Sequence, residues 1–149
     1  IQRYQIFCWF LIQDRLNTTS LLLRKSFHLP SYQCALCNEQ IETTLHLFLD
    51  CSFALECWHL ITPNKKRNTS FIQEIMLALN ELPNGVAMNI VIMSCWHIWM
   101  QRNGSIFQQI EPSVESWRLL LKKDLNLLTH KIKARYVLPP SENTCHQNG

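Results

Sequence analysis

The chain has 149 residues, 47% of them hydrophobic and 17% charged, with a formal net charge of +3 at pH 7. That length suits one domain or one and a half, with enough apolar residues to bury a core. Three glycines and six prolines exclude a fibrous or low-complexity chain. The charge is too small to argue for nucleic acid by itself.

Residues 4–16 carry Phe7, Trp9, Phe10 and Leu11 and read as a buried helix, apolar on most sides, broken at Asn17 and Thr18. Thr18 is a suitable N-cap for a short second helix holding Leu21, Leu22 and Leu23. Arg24 and Lys25 place positive charge at its C-terminus. A turn at Leu29-Pro30-Ser31 leads into a knuckle-like loop over residues 34–40. Thr43 or Thr44 can cap a short helix with His46, Leu47 and Phe48, and Ser52 can cap the next, which runs through Leu55 and Trp58 to Leu60.

Residues 63–70 are polar and basic and read as a linker, with Lys65, Lys66 and Arg67 in sequence. Ser70 and Gln73 match a capping box ahead of Phe71, Ile72, Ile75, Met76 and Leu79 at helical spacing. After a turn at Pro83-Asn84-Gly85, residues 86–100 form the most apolar run. At that length, interrupted by Asn89, Ser94 and His97, it is short for a bilayer span of about 20 residues and reads as a buried core helix stopping near Gly104. Pro112-Ser113 opens a last helix whose apolar positions Val114, Trp117, Leu121, Leu125, Leu128 and Ile132 step by three and four. Trp96 and Trp99 are expected to pack against it. Pro139-Pro140 ends it, and residues 139–149 read as a disordered tail. No strand pattern or repeat emerges. The expected fold class is mostly α: a small helical domain over residues 1–62, and a helical connector over 71–138.

Seven cysteines occur, an odd number with no secretory signal, which argues against a disulfide framework and for reduced thiols in an intracellular chain. Cys8 and Cys95, beside Trp9 and Trp96, read as plain core residues. Cys34, Cys37, His46 and Cys51 form the pattern C-x2-C-x8-H-x4-C. The first pair lets two thiolates reach one metal from a tight turn, and His46 and Cys51 can close a tetrahedron. Three thiolates and one imidazole saturate one Zn²⁺ and leave no open position for water, which marks a structural site. Cys57 and His59 lie close enough in sequence to replace the fourth ligand. A thioredoxin-like role for Cys34 and Cys37 lacks the surrounding βαβ pattern.

The run Phe7-Cys8-Trp9 to Arg15-Leu16-x-Thr18, the Cys34-Ala35-Leu36-Cys37 knuckle, the stretch from Glu42 through Leu45-His46-Leu47-Phe48 to Cys51, and then Trp58 together resemble the zinc-binding domain of plant non-LTR (LINE-type) retrotransposon reverse transcriptases. A second stretch resembles the W-x-x-W-x-x-R-N-x-x-I-F segment that such proteins carry before a ribonuclease H domain: Trp96, Trp99, Arg102, Asn103, Ile106 and Phe107. The resemblance implies the ligand set Cys34, Cys37, His46 and Cys51. It also implies a polymerase domain upstream and a ribonuclease H domain downstream, and this sequence holds no Tyr-x-Asp-Asp motif. The chain starts at Ile1 and reads as a piece of something longer, with the zinc-binding domain trimmed at its start.

Catalytic residues: none are expected. The eleven acidic residues are scattered and read as solvated surface, the glycines form no phosphate loop, and His28, His97, His130 and His146 sit alone. From residue 117 to 136 the last helix carries six positive charges, Arg118, Lys122, Lys123, Lys131, Lys133 and Arg135, against Asp124 alone. Lys65, Lys66, Arg67, Lys122, Lys131 and Arg135 are therefore candidate phosphate contacts for RNA or single-stranded nucleic acid, with a solvated helix face as the equal alternative. The five tryptophans are expected in the core, and Arg102-Asn103 is expected to cap its own helix. The functional expectation is a non-catalytic zinc module that assists nucleic-acid binding or couples polymerase and ribonuclease H domains, with no membrane role. The alternative is a structural or protein-interaction remnant.

Overall fold

The computed structural model describes residues 2–61 and 87–137, the last three by backbone alone. The sequence-stretches assigned above to the basic linker, the Ser70 capping box and its helix, the turn at Pro83 and the tail lie outside these residues, as do Lys65, Lys66 and Arg67. Helix α1 spans Gln2–Ile12, α2 Thr19–Arg24, α3 Ser52–Ile61, α4 Ala87–Gln108 and α5 Val114–Val137, with a π-turn at His46–Asp50 between α2 and α3. One isolated antiparallel bridge, Gln33 to Ile41, is the only β pairing among the described residues. The mostly helical expectation holds.

Local chemistry sets most of the ends. Helix α1 stops at Asp14, which takes a left-handed conformation (φ 50°) that a short polar side chain tolerates. The Asp14 amide then donates to the Leu11 carbonyl and the Arg15 amide to that of Phe10, a Schellman closure. Helix α2 ends the same way at Ser26, whose φ is 63°, with amides of Ser26 and Phe27 on the carbonyls of Leu23 and Leu22. Its start is the predicted one: the Thr18 hydroxyl accepts from the Leu21 amide at 3.2 Å. Ser113 caps α5, accepting from the Ser116 amide at 3.1 Å. Helix α4 does not stop at Gly104 but continues to Gln108. Gln109 takes the left-handed position instead, at φ 51°.

A single core joins the two halves of the described chain. Phe7 and Leu11 of α1, Leu47, Phe48 and Leu49 of the π-turn, Phe53, Ala54 and Trp58 of α3, Val91, Cys95 and Ile98 of α4, and Trp117 and Leu121 of α5 pack together. Helix α4 lies at the centre, against α1, α5 and the π-turn. The expected burial of α1 is only partly met. Phe7 and Leu11 are buried, while Ile6 and Trp9 are half exposed and Ile12 is 70% exposed. A two-residue buried stripe on an eleven-residue helix suffices to hold it to α4. Trp9 and the partly buried Cys8 therefore leave the expected core, whereas Cys95 is in it. The two tryptophans of α4 also face away from α5. Trp96 meets Tyr4 and Phe7 of α1 edge-on, and Trp99 lies against Phe48. The contact with α5 is made by other residues: the Trp117 indole donates to the Ser94 carbonyl at 3.1 Å, and Gln101 accepts from the Ser113 amide at 3.0 Å.

His97 and Asp124 are the second departure from the expected pattern, because neither stands alone. The His97 Nε2 lies 2.7 Å from Asp124 Oδ2. The Tyr4 hydroxyl donates to the same oxygen, and Arg3 stands 3.7 Å away. This network ties α1, α4 and α5. Burial lowers the His97 pKa and outweighs the pull of Asp124 in the other direction. Burial raises the Asp124 carboxyl, but the bonds from Tyr4 and His97 and the Arg3 charge hold it below its usual range. At neutral pH His97 is thus neutral and Asp124 ionised. Both groups bind protons more readily unfolded than folded, so both stabilise the fold above their unfolded pKa values and lose that contribution on acidification. Urea midpoints should fall as pH drops below about 6.5 through His97, and further below about 4 through Asp124. His97→Gln should flatten the upper limb relative to wild type and Asp124→Asn the lower; parallel curves for all three proteins would show that the network does not titrate with folding.

Candidate metal centre

Residues 32–42 fold back on themselves. The Cys34 amide donates to the Gln40 carbonyl at 2.7 Å, the Glu42 amide to the Tyr32 carbonyl at 3.0 Å, and the Asn38 amide to the Cys34 carbonyl at 2.8 Å. Asn38 makes the reversal possible by adopting φ 58°, a conformation that asparagine accepts more readily than most residues. Inside this knuckle the amides of Leu36 and Cys37 point at the Cys34 sulfur.

The chain then reaches Thr43, whose hydroxyl accepts from the His46 amide at 3.0 Å. Of the two capping threonines, Thr43 does the capping. The Thr44 hydroxyl donates to Asp14 at 2.6 Å and so ties the segment to the end of α1. The turn that follows is one residue wider than an α-turn, with the Cys51 amide donating to the His46 carbonyl at 2.7 Å. That extra residue ends the turn at Cys51, and the Leu55 amide donates to the Cys51 carbonyl at 2.9 Å. Cys51, not Ser52, is therefore the N-cap of α3. Its sulfur receives the amides of Phe53 and Ala54, as a capping oxygen would.

These pieces bring Cys34, Cys37, His46 and Cys51 together, with their ligand atoms all within 4.8 Å of one another. The Cys34 and Cys51 sulfurs are 3.9 Å apart, and the Cys37 sulfur is 3.2 Å from His46 Nε2. A tetrahedron with metal–sulfur bonds of about 2.3 Å has edges of about 3.8 Å, so the spacing fits four ligands on one zinc. It does not fit a disulfide, and the three cysteines of the cluster, like Cys57, are free. Cys34 and Cys51 are fully buried, His46 nearly so, and Cys37 lies at the rim. The hydrogen bond from Cys34 to Cys51 lowers the Cys51 thiol and raises that of Cys34, with burial adding to the rise. The nitrogen turned toward the thiols is Nε2; His46 Nδ1 is buried without a hydrogen-bond partner among the described residues.

The two other residues considered for the fourth position stay outside the cluster. Cys57 is sealed in the core, where burial and then the Glu56 charge push its thiol up. His59 is exposed on α3. Lys122, Lys123, Lys131 and Lys133 are exposed on α5, and Arg118 is engaged by Glu115 at 2.6 Å. At 3.6 residues per turn Lys122 and Lys133 fall on one side of the helix and Lys131 on the opposite side. The side chain of Arg135 lies outside the described residues.

Sequence reasoning missed Glu42 and Arg102. Arg102 does not cap its own helix: it is buried and forms a two-pronged ion pair with the fully buried Glu42, Nη2 to Oε1 at 2.7 Å and Nε to Oε2 at 3.1 Å. Its Nη2 also reaches the Asn17 carbonyl at 3.1 Å. The available signal was a single arginine in a long helix with no other Lys, Arg, Asp or Glu, since arginine is almost never fully buried unpaired.

Thr43→Ala should cost about 1 kcal/mol of stability, the usual value for a lost capping hydroxyl, read from urea unfolding. A loss below a few tenths would mean that the His46 turn is held without its cap.

Searches among curated proteins and among solved structures give no match to this chain. All four clustered ligand residues, and the cap and knuckle that position them, lie in residues 1–58, which match the family described as zinc-binding in reverse transcriptase.

Proposed function

We propose that Cys34, Cys37, His46 and Cys51 hold one structural Zn²⁺, and that the chain is a non-catalytic module from a reverse transcriptase of a plant LINE-type retrotransposon. The observation that carries the metal reading is the convergence of three sulfurs and one imidazole within 4.8 Å, inside the segment that matches a zinc-binding family. Four protein donors close the tetrahedron, so the ion braces the fold and activates no water. It ties the knuckle at Cys34 and Cys37 to the turn at His46 and to the first turn of α3 at Cys51. Binding free energy thereby becomes folding free energy.

Elemental analysis of purified protein should find one zinc per chain. Cys37→Ser and Cys51→Ser should lose it, and Cys57→Ala should retain it. Loss in Cys57→Ala with retention in Cys51→Ser would move the fourth ligand.

For the module's role in its parent protein, we favour weak binding of RNA or single-stranded nucleic acid through phosphate contacts from Lys122 and Lys131, with Lys65, Lys66, Arg67 and Arg135 as further contributors. The same module would couple polymerase and ribonuclease H domains. The opposite placement of Lys122 and Lys131 on α5 favours a second reading, a structural or protein-interaction module without a nucleic-acid role. A titration against single-stranded RNA at two salt concentrations separates them. Phosphate contact gives a slope of log affinity against log salt of about −0.7 per neutralised phosphate, and Lys122→Glu/Lys131→Glu should weaken it. Absence of saturable binding near physiological salt leaves the structural reading.

A further inference from the structure

We propose that Arg102 of α4 is a positioning residue for the metal cluster, so that a helix outside the family-matched segment completes the zinc site from behind. This rests on the zinc reading of Cys34, Cys37, His46 and Cys51.

The donors come from residues 34–51, yet two residues of that stretch, Glu42 and Phe48, are held by side chains of α4. The first is Glu42, which lies between Cys37 and His46. Both of its carboxylate oxygens are held by the Arg102 fork, and Oε1 also accepts the Thr19 amide at 3.1 Å. Its backbone is held too: the amide donates to Tyr32 and the carbonyl accepts from Ser20. The second anchor is Phe48, between His46 and Cys51. Its ring lies against Trp99, and the Arg102 guanidinium stands 4.6 Å from the centre of that same Trp99 ring. The Phe48 carbonyl accepts the Trp58 indole N–H at 2.6 Å. Arg102 and its neighbour Trp99 thus hold the chain at Glu42, four residues before His46, and at Phe48, two residues after it. No ligand sulfur or nitrogen is touched by Arg102 itself, so its influence runs through the placement of the loop. Partners bonded to the ligands themselves typically govern about 10–100-fold of metal affinity, and a group acting through the loop is expected at the low end of that range.

The test is cobalt binding by the full chain, since thiolate-ligated tetrahedral Co²⁺ reports both affinity and geometry in its visible absorption. Wild type should bind one Co²⁺ with a tetrahedral thiolate spectrum. Arg102→Gln should bind at least about tenfold more weakly. Arg102→Lys, which keeps the charge but not the planar fork, should fall between them. Glu42→Gln/Arg102→Gln should bind no worse than Arg102→Gln, because the two side chains act as one unit. Asp124→Asn serves as the control for general destabilisation: it lowers the unfolding midpoint through the α1–α4–α5 network and should leave cobalt affinity of the folded protein unchanged. Equal cobalt affinity in wild type and both Arg102 variants overturns the proposal alone. So does an equal affinity loss in Asp124→Asn and Arg102→Gln. If Arg102→Gln fails to fold, the Arg102→Lys comparison decides the matter by the same criterion. Absence of cobalt binding by wild type overturns the zinc reading and this proposal together.

Discussion

A carboxylate with no solvent contact must find a cation or surrender its charge, and Glu42 finds Arg102 across sixty residues of sequence. Desolvating both groups costs several kcal/mol each, repaid only when geometry is good and every remaining donor and acceptor is used. Here the fork engages both carboxylate oxygens, and the remaining hydrogen bonds go to the Thr19 amide, the Asn17 carbonyl and Asn103. The pair therefore does more than join the metal-bearing loop to α4. It sets where α2 begins, where the metal-bearing loop turns toward His46, and where α4 crosses beneath them. Removing one partner of such a pair typically costs about 3–5 kcal/mol, because the other is left buried and unpaired. That penalty acts on register: α4 cannot slide or rotate by a residue without stranding a charge.

The residues of the cluster serve local structure as well as metal chemistry. Cys51 is the N-cap of α3 and its sulfur sits on the amides of Phe53 and Ala54. A helix N-terminus favours negative charge, so the position that needs a thiolate also supplies the field that stabilises one. Cys34 also receives two amides from its knuckle, but its bond to Cys51 and its burial outweigh them and raise its thiol. The π-turn supplies the remaining constraint. Its single extra residue closes the turn on Cys51, directly ahead of α3, and leaves His46 and Cys51 on the same side as the knuckle.

A different balance operates on the far side of α4. There the polar network of His97, Asp124, Tyr4 and Arg3 joins three helices through one carboxylate. Ile6, Trp9 and Ile12 of α1 are in contact with solvent. Tyr4, Cys8, Trp9, Ile92, Met93 and Leu128 line an apolar groove between α1, α4 and α5. No helix among the described residues is long and apolar enough to cross a membrane.

Features governed by neighbours a few residues apart were legible in the sequence. The helices of α2 and α5 with their caps at Thr18 and Ser113, the helical class, and the C-x2-C-x8-H-x4-C pattern depend on spacing and on side chains bonding to adjacent amides. Features that depend on which surfaces meet were decided only by the tertiary structure. Periodicity marks Trp96, Trp99 and Trp9 as apolar without saying what they face, and the fold turns the first to α1, the second to the π-turn and the third outward. The pattern already names Cys51, and what the fold decided is that Cys57 stays outside the cluster, sealed in the core. Glu42 and Arg102 read as an ordinary surface acid and a helix-terminal base until the chain brings them together, because burial and pairing are properties of the packed interior and of no local window.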